Sequence, residues 1–154
     1  MSSRISPTKF EQRVKRYFEN LLHVKLEPKS LQVGPNMFHT FDLVSEDQQI
    51  VIECKSYTWT KAESFPSAKI STANEALFLL SRIKAKQKIL VMQDHYAHGK
   101  SLVETYVRRY EGLMDDVEIW RFIAGDAPID DKAQKIRDAS QIWYKTFYQS
   151  GETH

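Results

Sequence analysis

Hydrophobic positions recur in the chain with two periods, three-to-four and two, and the alternation between them sketches the fold. Phe10, Val14, Phe18 and Leu21 share one face at helical spacing, which predicts a helix from about Pro7 to Leu22. Ser6 with Pro7 at the first helical position would start it, and so would Thr8 with Glu11 as a capping box. Three strands follow: a weak one at Leu31 to Val33, then Phe38 to Val44 and Gln49 to Lys55. The last two are joined by the polar turn Ser45-Glu46-Asp47-Gln48.

A second helix is expected from about Ala73 to Ala85, opened by Thr72 and Glu75 and apolar around most of its surface. The strand Lys88 to Met92 comes next. A helix opened by Ser101 and Glu104 ends by Gly112, and the strand Val117 to Ile123 follows it. A last helix, about Asp131 to Tyr148, carries Ile136, Ala139, Trp143 and Phe147 on one face. The order α-β-β-β-α-β-α-β-α predicts an α/β protein with a central mixed sheet flanked by helices. Without repeats or linkers, residues 1–154 read as a single domain.

Strand parity brings out the chemistry. Alternation sets Val51, Glu53 and Lys55 on one face and Ile50, Ile52 and Cys54 on the other. In the strand before it, Thr40, Asp42 and Val44 share a face, opposite Phe41 and Leu43. Asp42, Glu53 and Lys55 then converge at neighbouring positions of a hairpin. Two carboxylates at one point attract a hard divalent cation, and the carbonyl of Cys54 can add an oxygen ligand while its thiol faces the core. A lysine beside them can orient a water or stabilise a charged transition state.

Asp42, then an eleven-residue step to Glu53-Cys54-Lys55, resembles the PD-(D/E)xK nuclease superfamily, and is nearest to small archaeal Holliday-junction resolvases and Mrr-like restriction domains. The restriction-endonuclease-like core of that superfamily, α-β-β-β-α-β, matches the order expected over residues 7–92, with a strand and helices added after it. The resemblance implies that Asp42 and Glu53 bind Mg²⁺ or Mn²⁺ and that Lys55 assists hydrolysis of a DNA phosphodiester. It also implies that Glu11, on the early helix, completes the site or holds a metal-bound water. Phe41 stands where the superfamily often has a proline. Two alternatives stay open: a catalytically silent nucleic-acid-binding module on the same fold, and a hydrolase of another phosphate compound.

Charge refines the expectation. The net charge is only +2, but residues 1–29 and 61–100 each hold seven Lys/Arg against three acids, while residues 30–60 hold one against four. Basic zones flanking an acidic centre suit a polyanion held over acidic metal ligands, and they also suit an ordinary solvated surface. Candidate DNA contacts are Arg13 and Arg16 on the first helix. Tyr57, Trp59, Lys61 and Lys69 are added from the long segment Ser56 to Ser71, where aromatics beside lysines can stack on bases or merely cover the core.

Gln93 lies just beyond a strand end, where related nucleases sometimes place a site residue. Parity puts His39 on the face opposite Asp42, and Asp94, His95 and His98 match no strong zinc spacing. Trp143, Tyr144, Phe147 and Tyr148 are read either as core or as contact with a second copy in a homodimer. The single cysteine, Cys54, excludes an intrachain disulfide and a Cys-rich zinc site and favours a reducing cytoplasm. No apolar run is long enough for a membrane span or a signal peptide.

Overall fold

The computed structural model describes residues 5–139. Helix α1 spans Pro7–Leu22. Ser6 caps it, accepting a hydrogen bond at Oγ from the Lys9 N–H at 3.3 Å, with Pro7 where a missing N–H is harmless. Ser6 rather than Thr8 starts the helix, so capping does not account for Glu11. Phe10, Val14 and Phe18 are buried as the spacing predicts, whereas Leu21 is 44% exposed and Leu22 packs in its place.

Strands β1 (Leu26–Gly34), β2 (Met37–Ser45) and β3 (Ile50–Lys55) form an antiparallel meander. Helix α2 (Ser67–Ser81) crosses to β4 (Gln87–Gln93), which lies parallel to β3. A small hairpin of β5 (Tyr96–Ala97) and β6 (Lys100–Ser101) leads into α3 (Leu102–Tyr110). Strand β7 (Val117–Ile123) then joins β4 in parallel, and β8 (Lys132–Arg137) closes the far edge antiparallel to β7. The result is an α/β architecture around a mixed six-stranded sheet in the order β1-β2-β3-β4-β7-β8.

Helices cover both faces. On one, α1 lays Phe10, Val14 and Phe18 over Leu43, Ile52, Ile89, Val91 and Phe122. On the other, α2 and α3 lay Ile70, Leu77, Leu80 and Tyr106 over Phe41, Val44, Val51, Leu90 and Ile119. In β4 the side chains alternate between the two cores, Ile89 and Val91 to one and Leu90 and Met92 to the other, so its sequence reads as a continuous apolar run. No helix among the described residues is long and apolar enough to cross a membrane.

Several expectations change. β1 begins at Leu26, well before Leu31, because an edge strand with exposed Glu27, Pro28, Lys29 and Ser30 shows no alternation. α2 starts at Ser67, so Thr72 lies inside it and donates from its hydroxyl to the Lys69 carbonyl at 2.8 Å rather than capping. Ser101 does cap α3, accepting from the Glu104 N–H at 3.1 Å. Residues 132–137, expected to open the last helix, form β8, whose edge position leaves half of its residues exposed and hides the strand period. The remainder of that expected helix, with Trp143, Tyr144, Phe147 and Tyr148, lies outside the described residues.

The register between β1 and β2 slips by one residue near the start of β1. Glu27 faces Val44 and Lys29 faces Phe41, so Pro28 alone stands against both Asp42 and Leu43. This is a β-bulge, and it breaks strand parity. Phe41 and Val44 pack into the same core under α2, while Leu43 packs under α1. The expected grouping of Phe41 with Leu43 is thereby overturned. A proline suits the strand opposite the bulge because it has no N–H to offer the ladder.

Candidate active site

The β2–β3 register passes through Val44–Val51 and Leu43–Ile52. One step further, Asp42 and Glu53 face one another, and side chains take over from the ladder. Glu53 Oε1 accepts the Asp42 N–H at 2.9 Å, and Asp42 Oδ2 accepts the Cys54 N–H at 2.8 Å. Each carboxylate is thus fixed by the other residue's strand. An extended residue sends its N–H and C=O to the same edge, so the Cys54 carbonyl also faces the Asp42 side of β3.

Burial makes the pair electrostatically uncomfortable. Glu53 is 3% exposed. Desolvation, then the charge of Asp42, raises its pKa from the ordinary 4.5 to about 7, against the Asp42 N–H and His39. Asp42 is also raised by burial, opposed by the Cys54 N–H, by Lys55 and by His39. Glu11 reaches toward the same point from α1: burial and then the charge of Asp42 raise it, and Lys55 lowers it. Burial and the surrounding carboxylates push the Cys54 thiol well above its ordinary range, so it stays protonated and is a poor nucleophile.

The structure therefore brings Asp42, Glu53, Lys55 and Glu11 into one electrostatic cluster at the end of β3. It adds His39, whose Nε2 lies 3.3 Å from Glu53 Oε2 and whose ring stands edge-on to Phe41. Strand parity alone puts His39 on the opposite face, and the bulge at Asp42 and Leu43 reverses that. Gln93, at the end of β4, accepts at Oε1 from the Ser56 hydroxyl at 2.7 Å. It buttresses the chain just after Lys55.

Other candidates are elsewhere engaged. Arg13 donates from Nε to Asp131 Oδ2 at 2.7 Å and from Nη2 to the Gly125 carbonyl at 2.8 Å, so its guanidinium clamps α1 to the approach to β8 instead of waiting for a phosphate. Tyr57 and Trp59 are buried, the first bonded to the Thr72 hydroxyl, the second donating its backbone N–H to His95 Nδ1 and its indole N–H to the His95 carbonyl, both at 3.0 Å. They are wall, not stacking platforms. Arg16, Lys61 and Lys69 are exposed, Lys69 on α2 and not in a loop.

Asp94 accepts from Ser101, Val103 and Arg121, and His98 pairs with Glu63, so neither serves a zinc site with His95. Among the described residues no group of three or more His, Cys, Asp or Glu side chains is arranged to hold a metal ion. No protein-family model, curated protein or solved structure matches the chain.

Proposed function

We propose that the protein is a divalent-metal-dependent nuclease with a restriction-endonuclease-like core, hydrolysing DNA phosphodiester bonds. The observation that carries the reading is the Asp42–Glu53 pair. Buried Glu53 and half-buried Asp42 are locked together at the end of a sheet ladder, both held above their ordinary pKa, with the charge of Lys55 felt at Asp42. The element order α1-β1-β2-β3-α2-β4 supports it as well.

The donor set suits a hard cation. A magnesium ion commonly takes only one or two carboxylates and completes its shell with waters and substrate phosphate, so a site of two carboxylates and a main-chain carbonyl suffices. Asp42, Glu53 and the Cys54 carbonyl would hold Mg²⁺ or Mn²⁺, which when bound supplies neutralisation of phosphate charge and acidification of water. Everything else falls to the chain. The Lys55 ammonium orients the attacking water and stabilises charge growing on the phosphate. Glu11, with its proton affinity raised, accepts a hydrogen bond from that water. His39 holds Glu53 Oε2 so that the carboxylate keeps one orientation.

The test is a panel of linear duplex, flap, four-way junction and single-stranded DNA, each with Mg²⁺, Mn²⁺ or chelator. Metal-dependent cleavage that Asp42→Ala and Glu53→Ala abolish is expected. Full cleavage by either variant rejects the assignment. Binding in chelator with no cleavage under either metal selects a silent nucleic-acid-binding module, and turnover of nucleotides alone selects a different phosphate hydrolase.

A further inference from the structure

Parallel strands β3 and β4 end at the same side of the sheet, and the segments that leave them build a second feature beside the carboxylate pair. Residues 56–66 follow β3; the β5–β6 hairpin and α3 follow β4. Between them lies a cleft of about 500 Å³ lined by Phe65, His98, Lys100, Arg108 and Arg109, with Glu63 as its acid. The outer ends of parallel strands are where α/β sheets usually take ligands. Its wall is tied to the candidate active site by the Ser56–Gln93 and Trp59–His95 hydrogen bonds, which brace the chain continuing from Lys55.

The charges of this cleft are unbalanced. Lys100, Arg108 and Arg109 are exposed, and none has a carboxylate ion-pair partner among the described residues. Glu63 lies against the His98 ring and the nearby Arg121 is held by Asp94, so three cations stand in the cleft against one acid. Arg109 lies over the Phe65 ring, 4.3 Å from its centre, a cation–π contact that holds the guanidinium at the cleft wall. Position in the last turn of α3 accounts for Arg108 and Arg109 through the helix dipole. It does not account for Lys100, which comes from β6 and joins them on one cavity.

We propose that this cleft seats the sugar-phosphate backbone of the nucleic acid strand that runs into the Asp42–Glu53 site. The choice of ligand rests on the nuclease reading above. Lys100 and Arg108 contact phosphates directly, and Arg109, held over Phe65, presents its guanidinium to a third.

The test measures binding of a short fluorescent duplex to the full chain in chelator, across a salt series, so that cleavage plays no part. Neutralising phosphate contacts releases counterions, and log K falls with log salt by about 0.9 for each contact on duplex DNA. The triple variant Lys100→Ala, Arg108→Ala, Arg109→Ala is expected to lose at least ~10-fold in affinity and to flatten the slope by about 2–3. Arg108→Ala alone should flatten it by about 1. Lys84→Ala with Lys86→Ala, exposed cations before β4 at the opposite end of the strands, should leave the slope unchanged.

A wild-type slope in the triple variant, an equal loss in the Lys84 and Lys86 control, or no duplex binding by the wild type overturns the proposal. Because no metal is present, that failure leaves the nuclease reading to be judged by the Asp42 variants. A flattened slope in a chain that never cleaves would keep the cleft and remove the nuclease.

Discussion

Glu53 accepts the backbone N–H of Asp42, and Asp42 accepts the backbone N–H next to Glu53, so each acid holds the other's strand. The exchange replaces ladder hydrogen bonds where β2 and β3 part, at the expense of bringing two like charges together out of water. Stability alone does not favour such an arrangement, and perturbed carboxylates of this kind cluster at functional sites.

That strain has a pH signature. In the fold Glu53 takes up its proton near pH 7, in the unfolded chain near 4.5, so between these values the folded state binds more protons. Stability contributed by protonated Glu53 is full below about pH 4.5 and is lost as pH rises through about 7. Glu53→Gln removes the titration. It should be more stable than wild type at pH 8 by about 1–3 kcal/mol, or roughly 3–8 °C in Tm, and no more stable near pH 4.5. Thermal melts at the two pH values check this. A difference independent of pH would show that Glu53 is not the strained group.

A cation should relieve the same repulsion. Mg²⁺ or Mn²⁺ at ~100 times its Kd would stabilise the wild type by about 2.7 kcal/mol. Asp42→Asn and Glu53→Gln should show little of this shift. Differential scanning fluorimetry at pH 8 with and without metal is sufficient, and equal shifts in all three chains would dismiss the two carboxylates as ligands.

His39 supports Glu53 from behind. Outer contacts of this sort typically change metal affinity by about 10–100-fold. His39→Ala should raise the Mg²⁺ concentration needed for half-maximal cleavage by at least ~10-fold. His39→Gln, which retains an N–H donor, should recover most of it. An unchanged metal requirement in the alanine variant would leave His39 no part in the site.

The Arg13 clamp gives a contrasting prediction. The Asp131 carboxylate is buried and accepts from both Arg13 and the Gly125 N–H. Arg13→Ala leaves that carboxylate short of its partner and should cost about 1–3 kcal/mol, seen in urea melts, with DNA binding in chelator unaltered. Gly125→Ala should also destabilise, because a Cβ there would sit 2.8 Å from the Asp130 carbonyl carbon. Loss of DNA affinity by the Arg13 variant without loss of stability would return Arg13 to the phosphate-binding set.

Much of this site is legible in the order of residues alone. Asp42, Glu53 and Lys55 stand at the ends of apolar runs, and the short β-branched run Ile50 to Ile52 after a polar turn reads as a strand. What escapes sequence reading escapes for physical reasons. A bulge inserts one residue without changing composition, so His39 is assigned to the wrong face. Aromatics after a strand look alike whether they cover a core or await a base. The bonds from Trp59 to His95 and from Tyr57 to Thr72 are what separate the cases. Edge strands β1 and β8 show little of the alternation that betrays β2 and β3, because water covers much of both faces.

Arg13 and its carboxylate are 118 positions apart in the chain. At a synthesis rate of ~5–20 residues per second, roughly 6–24 s separate the appearance of α1 on the ribosome from the appearance of its latch. Until β3, β4 and β7 also emerge, most of the surface that Phe10, Val14 and Phe18 cover in the fold is missing. A nascent chain of this design carries its apolar helix face only partly covered until β7 and the Asp131 latch have been made.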